Sequence, residues 1–194
     1  MIKLHTPISE EDIRKLKTGD SVLLSGTIVT ARDEAHKLMV EEKPNFIREI
    51  LKESVIYHCG PVVKKHEDGT WSFVSAGPTT SAREEPYQAD VICEYNVRGV
   101  IGKGGMGDKT SAGLQKCGAV YFHAVGGAGT LIANAVEKVV TVFKLEEFGT
   151  PEAFWVIEVK DFPLVVTMDS HGSSLHKEIL DKSNKIAQDI LNSI

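Results

Sequence analysis

The sequence has 194 residues, 42% hydrophobic and 25% charged, a composition that can bury one core and a length too short for two ordinary domains. Its 22 basic and 27 acidic side chains leave a formal net charge of −5, and the basic residues are scattered, which argues against a nucleic-acid partner that needs clustered cations. No run approaches the ~20 apolar residues of a membrane helix, and the opening MIKLHTPISEEDIRKL has no apolar signal core, so a cytoplasmic location is expected.

In chain order, Ser9-Glu10-Glu11-Asp12 has the pattern of a helix start capped by its own serine. Asp20 to Ala31 is β-branched and apolar and predicts a strand with Gly26 inside it. A charged helical stretch begins at Asp33, and Pro44 stands where the next helix, reaching to about Glu53, would place its first residue. Val55 to Cys59 predicts a strand, and Asp68-Gly69 a hairpin turn before a strand from Trp71 to Ala76. Thr80 or Ser81 would cap a short helix broken at Pro86, and Gln88 to Tyr95 predicts another. Gly99 to Ile101 predicts a short strand, Asp108 to Lys116 a helix, and Ala119 to Ala124 a strand. Gly129 to Lys144 predicts an apolar helix, followed by strands at Phe154 to Val159 and Leu164 to Met168. Leu175, Ile179, Ile186 and Ile190 fall on roughly one face of a C-terminal helix. With no internal repeat and no Ser/Pro linker, the pattern predicts one mixed α/β domain over residues 1–194.

The stretch GKGGMG, Gly102 to Gly107, fits the letter pattern of a dinucleotide fingerprint. That motif should follow a full strand and be answered by an acid ~20 residues on. Here the strand is short, and Ala124 to Leu131 contains no acid. A P-loop fails as well, because Asp108 separates the last glycine from Lys109-Thr110. What survives is a loop whose backbone can approach a ligand closely, with Lys103 inside it and a helix start after it. That combination suits an anion, a carboxylate where no phosphate machinery is present; its bland alternative is a glycine turn with a solvated lysine.

Two further segments leave strand ends. SAGPTTSAR, Ser75 to Arg83, puts three hydroxyls at a helix start and Arg83 one turn in, where a guanidinium can hold a carboxylate with two parallel hydrogen bonds. The alternative is a threonine cap beside a surface arginine. TARDEAH, Thr30 to His36, offers Arg32 as a second fork donor, with His36 four residues on. Three such segments suggest one shared rim on a rigid sheet. Cys59, Cys93 and Cys117 are odd in number and lack C-x-x-C spacing, so they predict single thiols and no disulfide framework; ligation of a cluster by all three is the weaker alternative.

TARDEAHK, SAGPTTSAR, IGKGGM, GGAG and PEAFWVIEVKDFPLVVTMDSHG together closely resemble the β subunit, or C-terminal domain, of class I fumarases and L-tartrate dehydratases, in the right order over nearly the whole chain. The resemblance implies a swivelling β/β/α fold with a mixed sheet. It implies an iron–sulfur hydro-lyase in which an α-type subunit binds a [4Fe–4S] cluster and this chain supplies no metal ligand. Carried over by motif, Arg32, Arg83 and Lys103 grip substrate carboxylates, joined by Thr80, Ser81 and Gly104. Thr79 is then the base at the carbon that loses or gains a proton, and His36 is an active-site residue to which that proton could be relayed. The chain departs from the family at Glu84 and Leu38, and Glu84 is expected to point away from the anion pocket. Fumarate hydration, tartrate dehydration and a non-catalytic anion-binding module are the readings left open.

Overall fold

The computed structural model describes residues 1–193; residue 194, the end of the expected domain, lies outside the described residues. In chain order the elements are β1 Ile2–His5, α1 Glu10–Lys15, β2 Ser21–Thr30, α2 Asp33–Glu41 and, after a 3-10 turn at Asn45–Ile47, α3 Arg48–Leu51. Then come β3 Val55–Tyr57, β4 Val62–Lys65, β5 Trp71–Ser75, a 3-10 turn at Ser81–Glu84, α4 Gln88–Tyr95, β6 Gly99–Gly102, α5 Asp108–Cys117 and β7 Val120–His123. The chain continues through α6 Gly129–Ala133, β8 Val136–Phe143, α7 Leu145–Phe148, β9 Phe154–Met168 and α8 Leu175–Asn192.

The main sheet is mixed, ordered β1-β2-β3-β6-β7-β9-β8, as the α/β expectation requires. Strands β1, β2, β3, β6 and β7 are mutually parallel, while β9 runs antiparallel to β2, β7 and β8. Because β9 pairs with both β7 and β2, the pairings β2-β3-β6-β7-β9 return to their start and form a ring. β4 and β5 make a separate antiparallel hairpin over the expected turn.

The β2 sequence explains its central place. Val22, Leu24 and Ile28 are fully buried on the ring interior with Tyr57, Trp155, Ile157 and Phe162. Trp71 and Phe73 of the hairpin cover that core, their rings edge-on to Trp155 at 5.3 and 6.0 Å. Val29 of β2 and Ile56 of β3 instead face a second cluster with Met39, Ile47, Leu51, Tyr95 and Phe154, under α2, α3 and α4. Parallel strands need cover on both faces, and each fully buried large side chain contributes roughly 1.5–3 kcal/mol of transfer free energy.

Three expectations are corrected. Gly129 to Lys144 is not one helix: α6 ends at Ala133 and β8 begins at Val136. Val136, Val139, Thr141 and Val142 lie in ladder register with β9, and pairing along an extended partner outweighs the modest helical preference of this segment. Phe154 to Met168 is one strand and not two. Asp161 takes a left-handed φ of 50° and the register shifts opposite Leu24/Gly26, so the strand bends there and continues past Pro163. Finally, Cys93 on α4 and Cys117 at the end of α5 form a disulfide, leaving only Cys59 free and buried. The two helices pack side by side, with Gly113 against Ala89, and this brings thiols 24 residues apart to one place.

The C-terminal helix forms as expected, capped by Ser174 on the Lys177 amide. Its apolar residues Ile179, Ile186 and Ile190 are exposed in the isolated chain.

Candidate active site

Parallel strands end at one edge, and in open α/β sheets that carboxyl edge is where ligands bind. Here β2 runs into Arg32, β3 into His58 and Cys59, and β6 into Lys103. The segment Gly77 to Ser81 crosses this edge as an irregular extra strand. It bridges Cys59 through Pro78 and Lys103 through Thr80. The Thr79 amide donates to the His58 carbonyl at 2.7 Å, and its carbonyl accepts from the Lys103 amide at 3.2 Å. The Ser81 amide donates to the Lys103 carbonyl at 3.0 Å. Thr79 and Lys103 are thus neighbours in a short ladder, and the Thr79 and Ser81 amides are already taken by the protein. Thr79 and Lys103 are half-buried, whereas Thr80, Arg83 and Gly104 are exposed.

The two arginines meet acids of this chain. Arg32 at the start of α2 places Nη2 3.3 Å from Glu152 Oε1. Gly60 is a glycine because Arg32 lies across it: a Cβ there would come within 2.6 Å of Nη1. Arg83 pairs with Asp33, the residue after Arg32. Arg32, Asp33, Arg83 and Glu152 therefore form one alternating cluster, and Lys103 is a site cation without an ion pair among the described residues.

The glycine stretch divides by position. Gly102 is required by packing, since a Cβ would collide with the Ser81 hydroxyl and lie 2.9 Å from the Tyr121 hydroxyl. Gly104 and Gly105 take left-handed φ values of 83° and 75°, which carry the chain past Thr80 and His176. The start of α5 does attract an anion, and that anion is Glu85. Its carboxylate accepts from the Gly107 amide at 2.7 Å, the Thr110 amide at 3.1 Å and the Thr110 hydroxyl at 2.8 Å. The α5 start is thus occupied by a side chain of the protein itself, and the cationic part of the loop is Lys103.

Beneath the loops lies a buried polar cluster. His36 is fully buried on α2: its Nδ1 stands 2.9 Å from the Arg32 carbonyl and its Nε2 3.0 Å from the Gln88 side-chain amide. His58 approaches the same amide with Nε2 at 2.7 Å and the Ser81 hydroxyl with Nδ1 at 2.8 Å. Ser81 in turn bonds the Tyr121 hydroxyl at 2.8 Å, which faces the Gly105 backbone. Burial lowers the pKa of both imidazoles, that of His58 well below the ordinary value. Glu84 is also buried, 3.7 Å from His36 Nδ1, and burial together with neighbouring Asp33 pushes its carboxyl up to about 8. As expected from its charge, Glu84 stays out of the exposed mouth.

The edge brings Arg32, Thr79, Thr80, Arg83, Lys103 and Gly104 onto one rim, and sets His36 and Ser81 behind it. His58, Gln88 and Tyr121 were not legible as site residues. For His58 and Tyr121 the one sequence signal is a polar or aromatic residue inside an otherwise apolar strand, whereas Gln88 opens α4 among charged residues and carries no such signal. A cluster cofactor does not fit this chain's own donors. Cys93 and Cys117 are bonded to each other under α4 and α5, and Cys59 is buried with its thiol pushed up to about 12 by burial.

This arrangement belongs to a known class. Residues 1–179 match the family described as Fumarase C-terminus, and the chain is a member of that family. Among its relatives, a protein of Geobacillus stearothermophilus provisionally named a class I fumarate hydratase is 50% identical over 189 residues, 97% of this chain but 36% of that protein. A protein of Methanocaldococcus jannaschii provisionally named an L(+)-tartrate dehydratase subunit beta is 44% identical, covering 96% of this chain and 95% of its own length. The L(+)-tartrate dehydratase subunit beta of Escherichia coli is 42% identical over 176 residues, 90% of this chain and 86% of that protein. The chain therefore spans about a third of the first relative and nearly all of the other two.

Proposed function

We propose that this chain is the β part of a hydro-lyase that reversibly adds water to fumarate to give L-malate. The observation that carries the reading is the shared rim, where neighbouring strand ends bring Arg32, Thr79, Thr80, Arg83 and Lys103 to one edge of the sheet in a chain that matches the Fumarase C-terminus family over residues 1–179. Lys103, whose ammonium has no internal carboxylate partner among the described residues, meets one substrate carboxylate. Arg32 and Arg83 exchange Glu152 and Asp33 for the substrate. Removing a proton beside a carboxylate spreads negative charge onto that carboxylate, and fixed cations aimed at it stabilise the charge where it develops, roughly 3–4 kcal/mol per well-placed donor. Gly104 offers backbone at the rim, Ser81 supports it from behind, and Thr80 adds a hydroxyl at the mouth.

Thr79 is the group proposed to hold or move the proton. A neutral hydroxyl is a weak acceptor, so Lys103, its ladder neighbour, favours the alkoxide form by charge. In this reading the [4Fe–4S] cluster is held by an α-type partner subunit and not by this chain. The lengths of the relatives support a hetero-oligomer, since two of them are named as subunits and are matched almost end to end. The same match favours a second reading, in which the diacid is L-tartrate. A cytoplasmic setting is part of the proposal.

The test is co-expression with the α-type subunit, anaerobic purification, and parallel rates on L-malate, fumarate and L-tartrate. Activity on fumarate above tartrate supports the first reading, and the reverse supports the second. An assembled complex that turns over neither, while this chain alone binds dicarboxylates, would establish a non-catalytic module instead.

A further inference from the structure

The buried cluster poses a donor–acceptor problem that has one economical solution. The Arg32 carbonyl can only accept, so His36 must carry a proton on Nδ1 to bond it. If the Gln88 carbonyl oxygen faced both rings, each Nε2 would need a proton as well, and His36 would be a full imidazolium with no exposure to water. Its near neighbours do not stabilise that charge well. Glu84 is 3.7 Å away and holds its own proton near neutral pH, Asp33 favours the charge but is already engaged by Arg83, and burial, the largest effect on this ring, opposes it. That orientation also leaves the Gln88 amide nitrogen buried with no partner.

The two ends of a primary amide are nearly isosteric, and the opposite orientation places its NH2 group between the rings. Its two hydrogens then reach the two Nε2 atoms, separated as 3.0 and 2.7 Å contacts to one amide end. Both rings become neutral and keep their proton on Nδ1. His36 donates to the Arg32 carbonyl, His58 donates to Ser81, and Ser81 is free to donate to Tyr121. Every ring nitrogen is satisfied without a buried charge.

We propose that Gln88 is a positioning residue whose amide NH2 donates to His36 and His58 together, fixing both as neutral Nδ1–H tautomers and so locking the Arg32 loop to the Thr79–Ser81 loop. The chain of contacts runs from the Arg32 carbonyl through His36, Gln88, His58 and Ser81 to Tyr121, and it touches all three segments that carry the rim. It explains why Gly102 has no side chain, since Ser81 and Tyr121 occupy that space. The catalytic importance of this lock rests on the hydro-lyase reading; the tautomers do not.

Long-range 1H–15N spectra of imidazole nitrogens, recorded on the 194-residue chain between pH 8 and pH 6, read the tautomers directly, with His36→Gln and His58→Gln supplying the assignments. The expected result is two rings with Nδ1 protonated and Nε2 bare, unchanged across the range. An Nε2–H signal on either ring overturns the proposal, and this reading needs no variant of Gln88 to fold. Gln88→Glu replaces a group with two hydrogens by one that offers at most one, so at least one ring must gain an Nε2 proton. In the assembled enzyme the same variant lowers kcat on the order of 10- to 100-fold and adds an ionisation to its pH profile that wild type lacks. Switched tautomers with an unchanged kcat and pH profile would also overturn it. If the wild-type assembly has no hydro-lyase activity, the functional reading fails and the wild-type spectra still decide the inference.

Discussion

Strands β2, β3 and β6 lead into Arg32, His58 and Lys103, whereas β8 and β9 carry almost none of the rim. The difference follows from direction. Parallel neighbours bring their C-terminal ends to one edge, so short loops from distant parts of the sequence meet there. Antiparallel strands deliver alternate ends to opposite edges, and β9 serves mainly to close the ring between β2 and β7. Its large buried residues Trp155, Ile157, Phe162 and Val166 are apolar, while its titratable residues Glu158, Lys160 and Asp161 stay half-buried or exposed, Glu158 pairing with Lys138 of β8. A substitution in β9 should therefore act on stability, and one on the parallel edge on rate.

Trp155→Ala gives the sharpest break of that comparison. Trp155 is fully buried, stacked edge-on by Trp71 and Phe73, and paired in β9 with Thr30 and Val142. Truncation should cost about 3–5 kcal/mol, read as a fall in denaturation midpoint by urea, with the folded fraction keeping wild-type KM. A midpoint within experimental error of wild type would contradict the assigned core. On the other edge, Lys103→Met should leave the denaturation midpoint in place, because Lys103 makes no ion pair among the described residues. It should lower kcat/KM by on the order of 10²–10³ in the assembled enzyme. Equal losses in stability and rate would erase the distinction between the two edges.

The parallel edge was the more legible half. Its strands are largely apolar, and Arg, Gly or Pro follows each within a few residues, so strand ends and rim residues such as Arg32, Thr79 and Lys103 could be read together. The antiparallel half misled for a physical reason. Val136 to Phe143 has no clean alternation, and its strand state is imposed by β9 as a partner; Phe154 to Met168 contains Asp161 and Pro163, local breakers that a bulge accommodates. The disulfide was hidden because the proximity of Cys93 and Cys117 is a property of helix packing, not of spacing. His58 and Gln88 were invisible for a similar reason, since each finds its role only across the gap between β3 and α4.

Glu84 sets a smaller effect that depends on pH. Its carboxyl is pushed from the ordinary 4.5 up to about 8, first by burial and then by Asp33. Between those values the folded chain holds a proton that the unfolded chain has released. The native state binds more protons there, so stability declines as pH rises through this window and levels off above about 8. Glu84→Gln keeps the shape and removes the titration. Its thermal midpoint should fall less than wild type between pH 5 and pH 8, making the variant relatively more stable at the alkaline end. Parallel curves for the two proteins would show that Glu84 ionises normally.

The smallest effect is expected where the two halves touch. Glu152 lies just before β9 and is the contact through which the antiparallel half reaches the rim. It pairs with Arg32 at 3.3 Å and accepts from the Glu34 amide at 3.2 Å. Glu152→Gln retains an acceptor for Glu34, so the free energy of unfolding should change by less than about 1 kcal/mol. What changes is the competition for Arg32. If Glu152 only neutralises the guanidinium until a diacid arrives, its removal should lower KM by about two- to fivefold, the range of a partly exposed ion pair, and leave kcat unchanged. If KM rises instead, Glu152 holds Arg32 in the pose that receives substrate. The boundary of the site would then have to be redrawn to include the first residues of the antiparallel half.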